Sequence, residues 1–339
     1  TNYLRVKTVD YAFNGTWQTI FTFKYDTAAP VSSCSTLTTL TNAPLANIAW
    51  TASDSNGVAQ VELWYKKEAG GTWMNSGMAG SGSGGIFPSW TPPAGDGTYF
   101  LRSRAIDVAE NGETDLPADG DDSFDYDTTS PSCAIAKAST DPSNASIVRY
   151  DITFSESVLQ FSIDDITLSG TAPGATLANF SGSGAAYTVD VTAISGSGTV
   201  SISIAAGACH DAAGNPNSAG GPETCTIDQT APSVTVEQAT GQEDPTGFLP
   251  VRFDVVFSEA VSDFDHDDVS MGGTASGVIY SVSGSGTSYL IEVTAMASLG
   301  TVIPSVAAGV AHDAVGNSNT ASTSTDNSVL YAPASPPHI

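Results

Sequence analysis

Apolar and polar residues alternate over short stretches along much of the chain. A period of two places one set of side chains on a buried face and the other on a solvent face, which is typical of half-buried antiparallel strands. The pattern therefore predicts an all-β fold. The apolar members of the clearest stretches are Tyr150, Ile152, Phe154, Tyr187, Val189, Val191, Phe253, Val255 and Phe257.

Two long segments of the chain repeat each other. The segment after Asp141-Pro142 aligns without a gap, at an offset of 103, with the segment after Asp244-Pro245. A more distant copy covers 30–130, and residues 1–10 match part of it at an offset of 97. Self-similarity at a fixed period indicates tandem domains. We predict the end of a truncated domain at 1–29, domains at 30–130, 131–231 and 232–333, and a tail at 334–339.

The size of the repeat narrows the fold. Domains of about 100 residues with roughly seven alternating strands are typical of immunoglobulin-like β-sandwiches. The Cys…Trp…Cys spacing of antibody domains is absent, so the prediction concerns architecture only. Short linkers ending in Pro, at 25–30, 126–131 and 227–232, predict domains held close together. The incomplete first repeat predicts that the chain is part of a longer protein or a processed form of one.

A five-residue motif, Asp-x-Ala-x-Asn, occurs at 10–14, 107–111 and 211–215, and a fourth copy at 313–317 has Val in place of the Ala. Each copy follows a predicted strand, which places it in a loop at one end of a sandwich. A turn alone explains the motif, because Asp and Asn side chains form Asx-turns. A cation site is the alternative, because Asp and Asn offer side-chain oxygens four residues apart.

The charge of the chain limits its partners. The chain has 36 acidic residues against 10 basic ones, a net charge of −26. Such a surface repels nucleic acid and anionic lipid and suits cations, although acidity also keeps an all-β protein soluble. No apolar run of about 18 residues occurs, so we expect no membrane insertion. No signal peptide is visible in the sequence.

The repeated segments resemble a known family. VRFDVVFSEAV at 251–261 and GVAHDAVGN at 309–317 are similar to the bacterial Ig-like repeats of large secreted surface proteins. The domain at 131–231 resembles the same family, and WTASDSNGVAQVELWYKK at 50–67 resembles a sister type. The resemblance implies tandem Ig-like β-sandwiches in an extracellular structural or adhesive protein. Its expected partners are copies of itself, other cell-surface proteins or glycans.

The resemblance also implies Ca²⁺, because similar adhesin repeats bind it near their domain joints. Acids beside apolar strands are costly to bury without a partner, and a cation offsets several of them at once. Asp127 and Asp228, just before the linker prolines, are expected to reach the next domain, and Asp54 and Asp107 are weaker candidates. The predicted ligands are Asp141, Glu156, Asp165, Asp211 and Asn215, with Asp244, Glu259, Asp268, Asp313 and Asn317 as their equivalents.

The four cysteines allow more than one disulfide. At an offset of 102, Cys209 and Cys225 correspond to Ala311 and Asn327, so both thiols are missing from the next repeat together. This favours a Cys209–Cys225 disulfide, with Cys133–Cys225 as the alternative. Cys34 has no candidate partner in its own repeat.

Nothing in the sequence nominates an enzyme. His210 and His312 precede the repeated Asp and are interpreted as exposed loop residues, and no catalytic motif in a suitable context is present. We therefore expect a non-enzymatic protein, stiffened by calcium. Assembly into a filament or surface layer is a variant of this prediction. The alternative is a spacer or carbohydrate-binding region of a secreted enzyme. Trp50 and Trp64 are interpreted as core residues, whereas an exposed Trp73 would favour sugar binding.

Overall fold

The structure is a computed structural model that describes residues 2–7, 12, 15–23 and 25–332. It is almost all β, with 51% strand and 2% helix, which confirms the predicted fold class. No helix in these ranges is long and apolar enough to cross a membrane. The first copy of the Asp-x-Ala-x-Asn motif and the tail at 334–339 lie outside the described residues, apart from Ala12. The domain boundaries therefore remain a prediction.

The chain forms two compact units. The first unit combines Thr1–Ser132 with two short segments, Phe154–Phe161 and Ala206–Ala219. The second unit contains the rest of the chain.

The strands of the first unit form three sheets among the described residues. Two of the strands make a small antiparallel ribbon, β1-β2, and the others form sheets ordered β4-β10-β9-β6-β7 and β3-β5-β8. The strands are β1 (Asn2–Lys7), β2 (Trp17–Phe23), β3 (Val31–Ser35), β4 (Leu40–Thr41), β5 (Ile48–Ser53), β6 (Val58–Lys67), β7 (Met74–Gly80), β8 (Gly84–Phe87), β9 (Gly97–Asp107) and β10 (Asp122–Tyr126).

An aromatic core joins the two larger sheets of the first unit. Trp90 lies 5.0 Å from Tyr65 and 6.0 Å from Tyr99, measured between ring centroids. Trp50 is buried on the facing sheet, as predicted. Its indole lies against Gly80 and Gly85, where an added Cβ would come within 2.4 Å and 2.8 Å of the ring. Gly80 at the end of β7 and Gly85 within β8 thus leave room for this large side chain.

Carboxylates close the outer edge of β3. The N–H groups of Ser32, Cys34 and Thr36 donate to Glu113, Asp121 and Asp122 in turn. These N–H groups would otherwise form an open sheet edge, which could pair with another chain. The acids on the 113–122 segment therefore protect this edge.

The second unit contains four sheets among its described residues, ordered β11-β12-β15-β14, β13-β16-β17, β18-β19-β21 and β20-β22-β23. Short 3₁₀ helices at Ile163–Asp165 and His266–Asp268 precede β13 and β20. The strands are β11 (Cys133–Lys137), β12 (Val148–Phe154), β13 (Ile166–Gly170), β14 (Thr176–Ser183), β15 (Ala186–Thr192), β16 (Gly198–Ile204), β17 (Gly220–Ile227), β18 (Val234–Gln238), β19 (Val251–Val261), β20 (Val269–Gly273), β21 (Ile279–Ala295), β22 (Gly300–Val306) and β23 (Val329–Tyr331).

The predicted alternation is confirmed, with one exception. Every second residue of β12 is buried, and the Tyr150 hydroxyl donates to the Val200 carbonyl of the facing sheet. Asp190 alternates with the apolar residues of β15, so a period of two places it on the solvent face, but it is buried. The Arg149 guanidinium lies 2.8 Å from one of its oxygens, and Asn179 donates to the other. Burial of the charge is thus offset by a covering ion pair and hydrogen bonds.

The predicted disulfide is wrong, because none of the four cysteines forms one. In the sheets, Cys225 pairs with Val200, and Val329 pairs with Val302. Because Val200 and Val302 are equivalent positions of the two repeats, Cys225 corresponds to Val329 and not to Asn327. Cys209 takes the place of buried Ala311, and the backbone N–H of each donates to an Asn side chain, at 2.9 Å in both repeats. Both cysteines therefore occupy positions of buried apolar residues and act as small hydrophobic side chains.

The fit of Trp50 to its glycines predicts a large effect of a single methyl group. Gly80→Ala should destabilise the first unit by about 1–3 kcal/mol, because the new Cβ overpacks the indole. Urea unfolding followed by tryptophan fluorescence measures this selectively, since every tryptophan of the chain lies within 17–90. Gly70→Ala is the matched control, because no atom lies within 4 Å of its Cβ position. Equal midpoints for the two variants would contradict the overpacking.

Candidate functional site

The Asp-x-Ala-x-Asn motif folds into the same turn in each described copy. In the copy at 211–215, one oxygen of Asp211 accepts the backbone N–H of Asn215 at 2.9 Å, and the other accepts its side-chain amide at 2.8 Å. The copies that begin at Asp107 and Asp313 make the same two contacts, at 2.7–2.8 Å. The turn interpretation of the motif is therefore correct for these three copies. In the copies at Asp107 and Asp313, the Asp side chain also accepts the N–H two residues later, which makes an Asx-turn.

The Asn side chain of each turn also hydrogen-bonds to the backbone of one linker. The amide of Asn215 donates to the backbone carbonyl of Asp127 at 2.9 Å, and the amide of Asn317 donates to that of Asp228 at 2.9 Å. Asn111 makes the equivalent contact with the carbonyl of Asp26, at 3.2 Å. Each copy of the motif thus ties a loop to the Asp of one linker.

Among the described residues, this arrangement brings acids together in three clusters, which we call the linker clusters. Within each cluster, one carboxylate oxygen from each residue lies within 4.8 Å of the others. Oxygens bound to one Ca²⁺ at 2.3–2.6 Å lie no more than about 5 Å apart, so the spacing suits this ion. The linker clusters are Asp26, Asp54 and Asp107; Asp127, Glu156 and Asp211; and Asp228, Glu259 and Asp313.

The negative charges of the carboxylates in a linker cluster repel one another. Partial burial, followed by the charges of Asp127 and Asp211, raises the pKa of Glu156. Glu259 shows the same increase in pKa from burial and from Asp228 and Asp313. A raised carboxyl pKa means that the folded protein disfavours the charged form, so ionised Glu156 and Glu259 destabilise the fold near neutral pH.

Hydrogen bonds hold two of the turn Asp residues in their charged form. Burial raises the pKa of Asp313, but the hydrogen bonds donated by Asn317, Val315 and Gly316 outweigh it and keep the pKa below its ordinary value. The pKa of Asp107 is lowered in the same way against its burial. In the last repeat, Asp313 thus keeps its negative charge inside the cluster, while the pKa of Glu259 beside it is raised.

The structure brings together part of the predicted ligand set. Glu156, Asp211 and Asn215 lie in one linker cluster or against it, and Glu259, Asp313 and Asn317 do the same in the next repeat. Asp127 and Asp228, which were expected to reach the next domain, complete these clusters.

The remaining predicted ligands lie elsewhere. Asp141 accepts the N–H of Thr226 and forms an ion pair with Lys137 at 2.8 Å, and Asp244 accepts the N–H of Leu330. Asp165 and Asp268 accept N–H groups at the start of the two 3₁₀ helices. Their fixed register in the repeats therefore reflects shared turns and strand ends.

From the sequence, Asp54 and Asp107 were only weaker candidates for calcium ligands, and Asp26 was not among the candidates. The signal was present, because Asp26, Asp127 and Asp228 occupy the same place in the three linkers. In all three, one carboxylate oxygen accepts the N–H two residues later, at 3.0 Å. Asp54 stands where the later repeats have Glu, so the repeat alignment did not reveal it.

The histidines next to the motif point away from the clusters. The ring of His210 hydrogen-bonds to Gln160 and to the Asp211 carbonyl, and that of His312 to Asp263. They thus tie neighbouring loops together.

Comparisons with known proteins agree with this architecture. A sequence profile described as a bacterial Ig-like domain matches residues 127–227 and 228–330. The chain belongs to this family. No curated protein matches the chain significantly.

Solved structures give weaker likenesses. One is to invasin, described as a bacterial integrin-binding protein, at 12% identity and a TM-score of 0.33, covering 82% of this chain and 56% of that chain. A marsupial T cell receptor aligns at 10% identity and a TM-score of 0.25, covering 81% of this chain and 95% of that one. The chain thus spans little more than half of the invasin structure.

The double contact of Asn215 predicts that its loss loosens the turn. Asn215→Ala should cost about 1–3 kcal/mol, because the buried Asp211 carboxylate and the Asp127 carbonyl each lose a donor. Amide hydrogen exchange in EDTA should become faster across 206–219. Ala212→Ser, at an exposed position of the same turn, is the control and should leave exchange unchanged. Unchanged exchange in Asn215→Ala would show that the turn does not need the amide.

Proposed function

We propose that this chain is a non-enzymatic extracellular structural or adhesive protein whose Ig-like domains are stiffened by Ca²⁺ at the linker clusters. Ig-like domains of this bacterial family support a surface or adhesive role. The observation that carries the calcium proposal is the repeated convergence of a linker Asp, a turn Asp and a third acid.

The donor set suits a hard cation. Every member offers carboxylate oxygens, which Ca²⁺ prefers, and no Cys or His belongs to the clusters. Glu156 and Glu259 accept no hydrogen bond from any described residue, so their oxygens are available. A bound cation would offset the repulsion that raises the pKa of both glutamates.

Each cluster joins chain segments that come from three separate parts of the sequence. In the cluster of Asp127, the linker, the end of β12 and the turn at 211–215 each supply one acid. An ion shared by all three would restrict the linker relative to the domain that follows it. Repeated along the chain, this would make an array of small domains rigid.

The expected stabilisation is modest at each site. Extracellular Ca²⁺ modules bind the ion at about 10⁻⁴–10⁻³ M. At tenfold saturation, binding adds roughly 1.4 kcal/mol per site to the free energy of unfolding. Several such sites together would give a clear shift in Tm.

Thermal melts with 2 mM Ca²⁺ and with excess EDTA, at equal ionic strength, test this proposal. We expect a higher Tm with Ca²⁺. Glu156→Gln should raise the Tm in EDTA, because it removes a repelled charge, and should reduce the increment that Ca²⁺ adds. Glu259→Gln should do the same for its own cluster.

Asp165→Asn is the matched control for these variants, since Asp165 lies at a 3₁₀ helix and outside the clusters. It should leave the Ca²⁺ increment intact whatever it does to the Tm. Identical melts of the wild-type protein in Ca²⁺ and EDTA would overturn the calcium proposal.

A further inference from the structure

The outer face of β6 and β9 carries a ladder of aromatic and charged side chains. Cross-strand neighbours pair Glu62 with Arg104, Trp64 with Arg102, and Lys66 with Phe100. Trp73, just before β7, lies over this face, with its ring centroid 4.1 Å from the Arg102 guanidinium carbon and 5.1 Å from the Lys66 ammonium. Trp64 was interpreted as a core residue, but it is only partly buried and lies on this outer face.

Arg102 is held firmly but has no anionic partner. Its guanidinium carbon lies 5.8 Å from the centroid of the Trp64 ring, on the opposite strand, and 4.1 Å from that of Trp73. It forms no hydrogen bond or ion pair with any described residue, and its buried Nε–H has no acceptor. An arginine has five N–H donors, so the two indoles position a planar group whose hydrogen bonds are unmet.

Charge makes this face unusual in the chain. Three of the chain's 10 basic residues, Lys66, Arg102 and Arg104, lie on this face of β6 and β9. Lys66 donates to the backbone carbonyls of Ala69 and Ala118, so it is occupied within the fold. Arg104 makes one long contact of 3.8 Å with Glu62. A ligand carboxylate repelled by most of this acidic chain would find complementary charge at Arg102 and Arg104.

We propose that this face binds a carboxylate-bearing glycan, with Arg102 as the carboxylate receptor. A guanidinium binds a carboxylate through two parallel hydrogen bonds, which an ammonium cannot reproduce. Arg102 lies over the rings of Trp64 and Trp73, and Lys66 lies over those of Trp73 and Phe100. All three side chains remain partly exposed, so the C–H faces of pyranose rings would have an aromatic surface to contact. An acidic peptide would satisfy the arginine but would leave these rings without a matching surface, which favours a uronic-acid sugar.

This inference rests on the proposed adhesive role and names a ligand for it. It does not depend on the linker clusters, since the ladder contains no cluster residue. Failure of the glycan site therefore leaves the calcium proposal standing, and the reverse also holds.

A galacturonate tetramer is a suitable probe, titrated against the whole chain by calorimetry and tryptophan fluorescence. The buffer should contain about 0.15 M salt, which shortens the range of repulsion by the acidic chain to about 8 Å. We expect saturable binding in EDTA and in Ca²⁺ alike. The methyl-esterified tetramer, which keeps the sugar rings and removes the charge, should bind at least about tenfold more weakly.

Variants distinguish loss of the carboxylate-binding group of Arg102 from general damage to the fold. Arg102→Gln should weaken binding by about tenfold or more, and Arg102→Lys should fail to restore it, because the planar fork is lost. Arg252→Gln is the matched control, because Arg252 lies on the strand β19 and is already paired with Glu292 at 2.8 Å. Thermal melts of each variant exclude unfolding as the cause, and Arg104→Gln, which loses only the long Glu62 contact, gives a second, milder test.

Three results would overturn the proposal. The first is no binding of the tetramer at millimolar concentration. The second is equal binding of the methyl ester, which would remove the carboxylate from recognition. The third is equal binding of tetraglutamate, which would show a general anion site in place of a glycan site.

Discussion

The hydrogen bonds between the Asp and the Asn of the repeated turn organise the rest of the candidate site. An Asp side chain satisfies both the backbone N–H and the amide of the Asn four residues later, and this fixes which way the amide points. The amide then has its second hydrogen free for the linker carbonyl. Because a buried carbonyl or carboxylate is costly to leave without a donor, the loop and the linker are held in one arrangement.

That arrangement has an electrostatic consequence. Bringing the linker to the turn also brings the linker Asp to a buried Asp and to an acid at the end of a strand. In the last repeat, the turn stabilises the charge of Asp313, and burial together with the charges of Asp228 and Asp313 raises the pKa of Glu259. The number of acidic residues, 36, does not by itself require three of them to lie this close together. Their convergence at successive linkers is what connects the fold to the proposed role of calcium.

The predicted domain at 30–130 forms its sheets with different side chains from those of the last repeat. Its core contains Trp50, Trp90 and Tyr99, whereas the last repeat relies on Val, Ile and Phe residues of β18–β23. Its first strand is closed at the edge by carboxylates, whereas the backbone of 323–326 pairs with β18 in the last repeat. This domain also carries the ladder around Arg102. The turn and its contact with the linker are therefore shared by the repeats, whereas the side chains of their sheets differ.

The alternation of apolar residues and the repeat offset determined the fold class, because a period of two leaves only one way to bury the apolar face of each strand. The motif at 211–215 determined its own turn, since the contacts between its Asp and Asn are local. Tertiary structure decided which distant acids meet that turn: Asp127 and Glu156 arrive from a linker and a strand end, whereas Asp141 and Asp165 serve other loops. Tertiary structure also decided that the cysteines form no disulfide. An insertion of two residues before β23 shifts the register of this strand, so Val329, and not Asn327, is the equivalent of Cys225. Local spacing in a sequence specifies local hydrogen bonds, but contacts across many residues depend on how the strands are ordered and aligned.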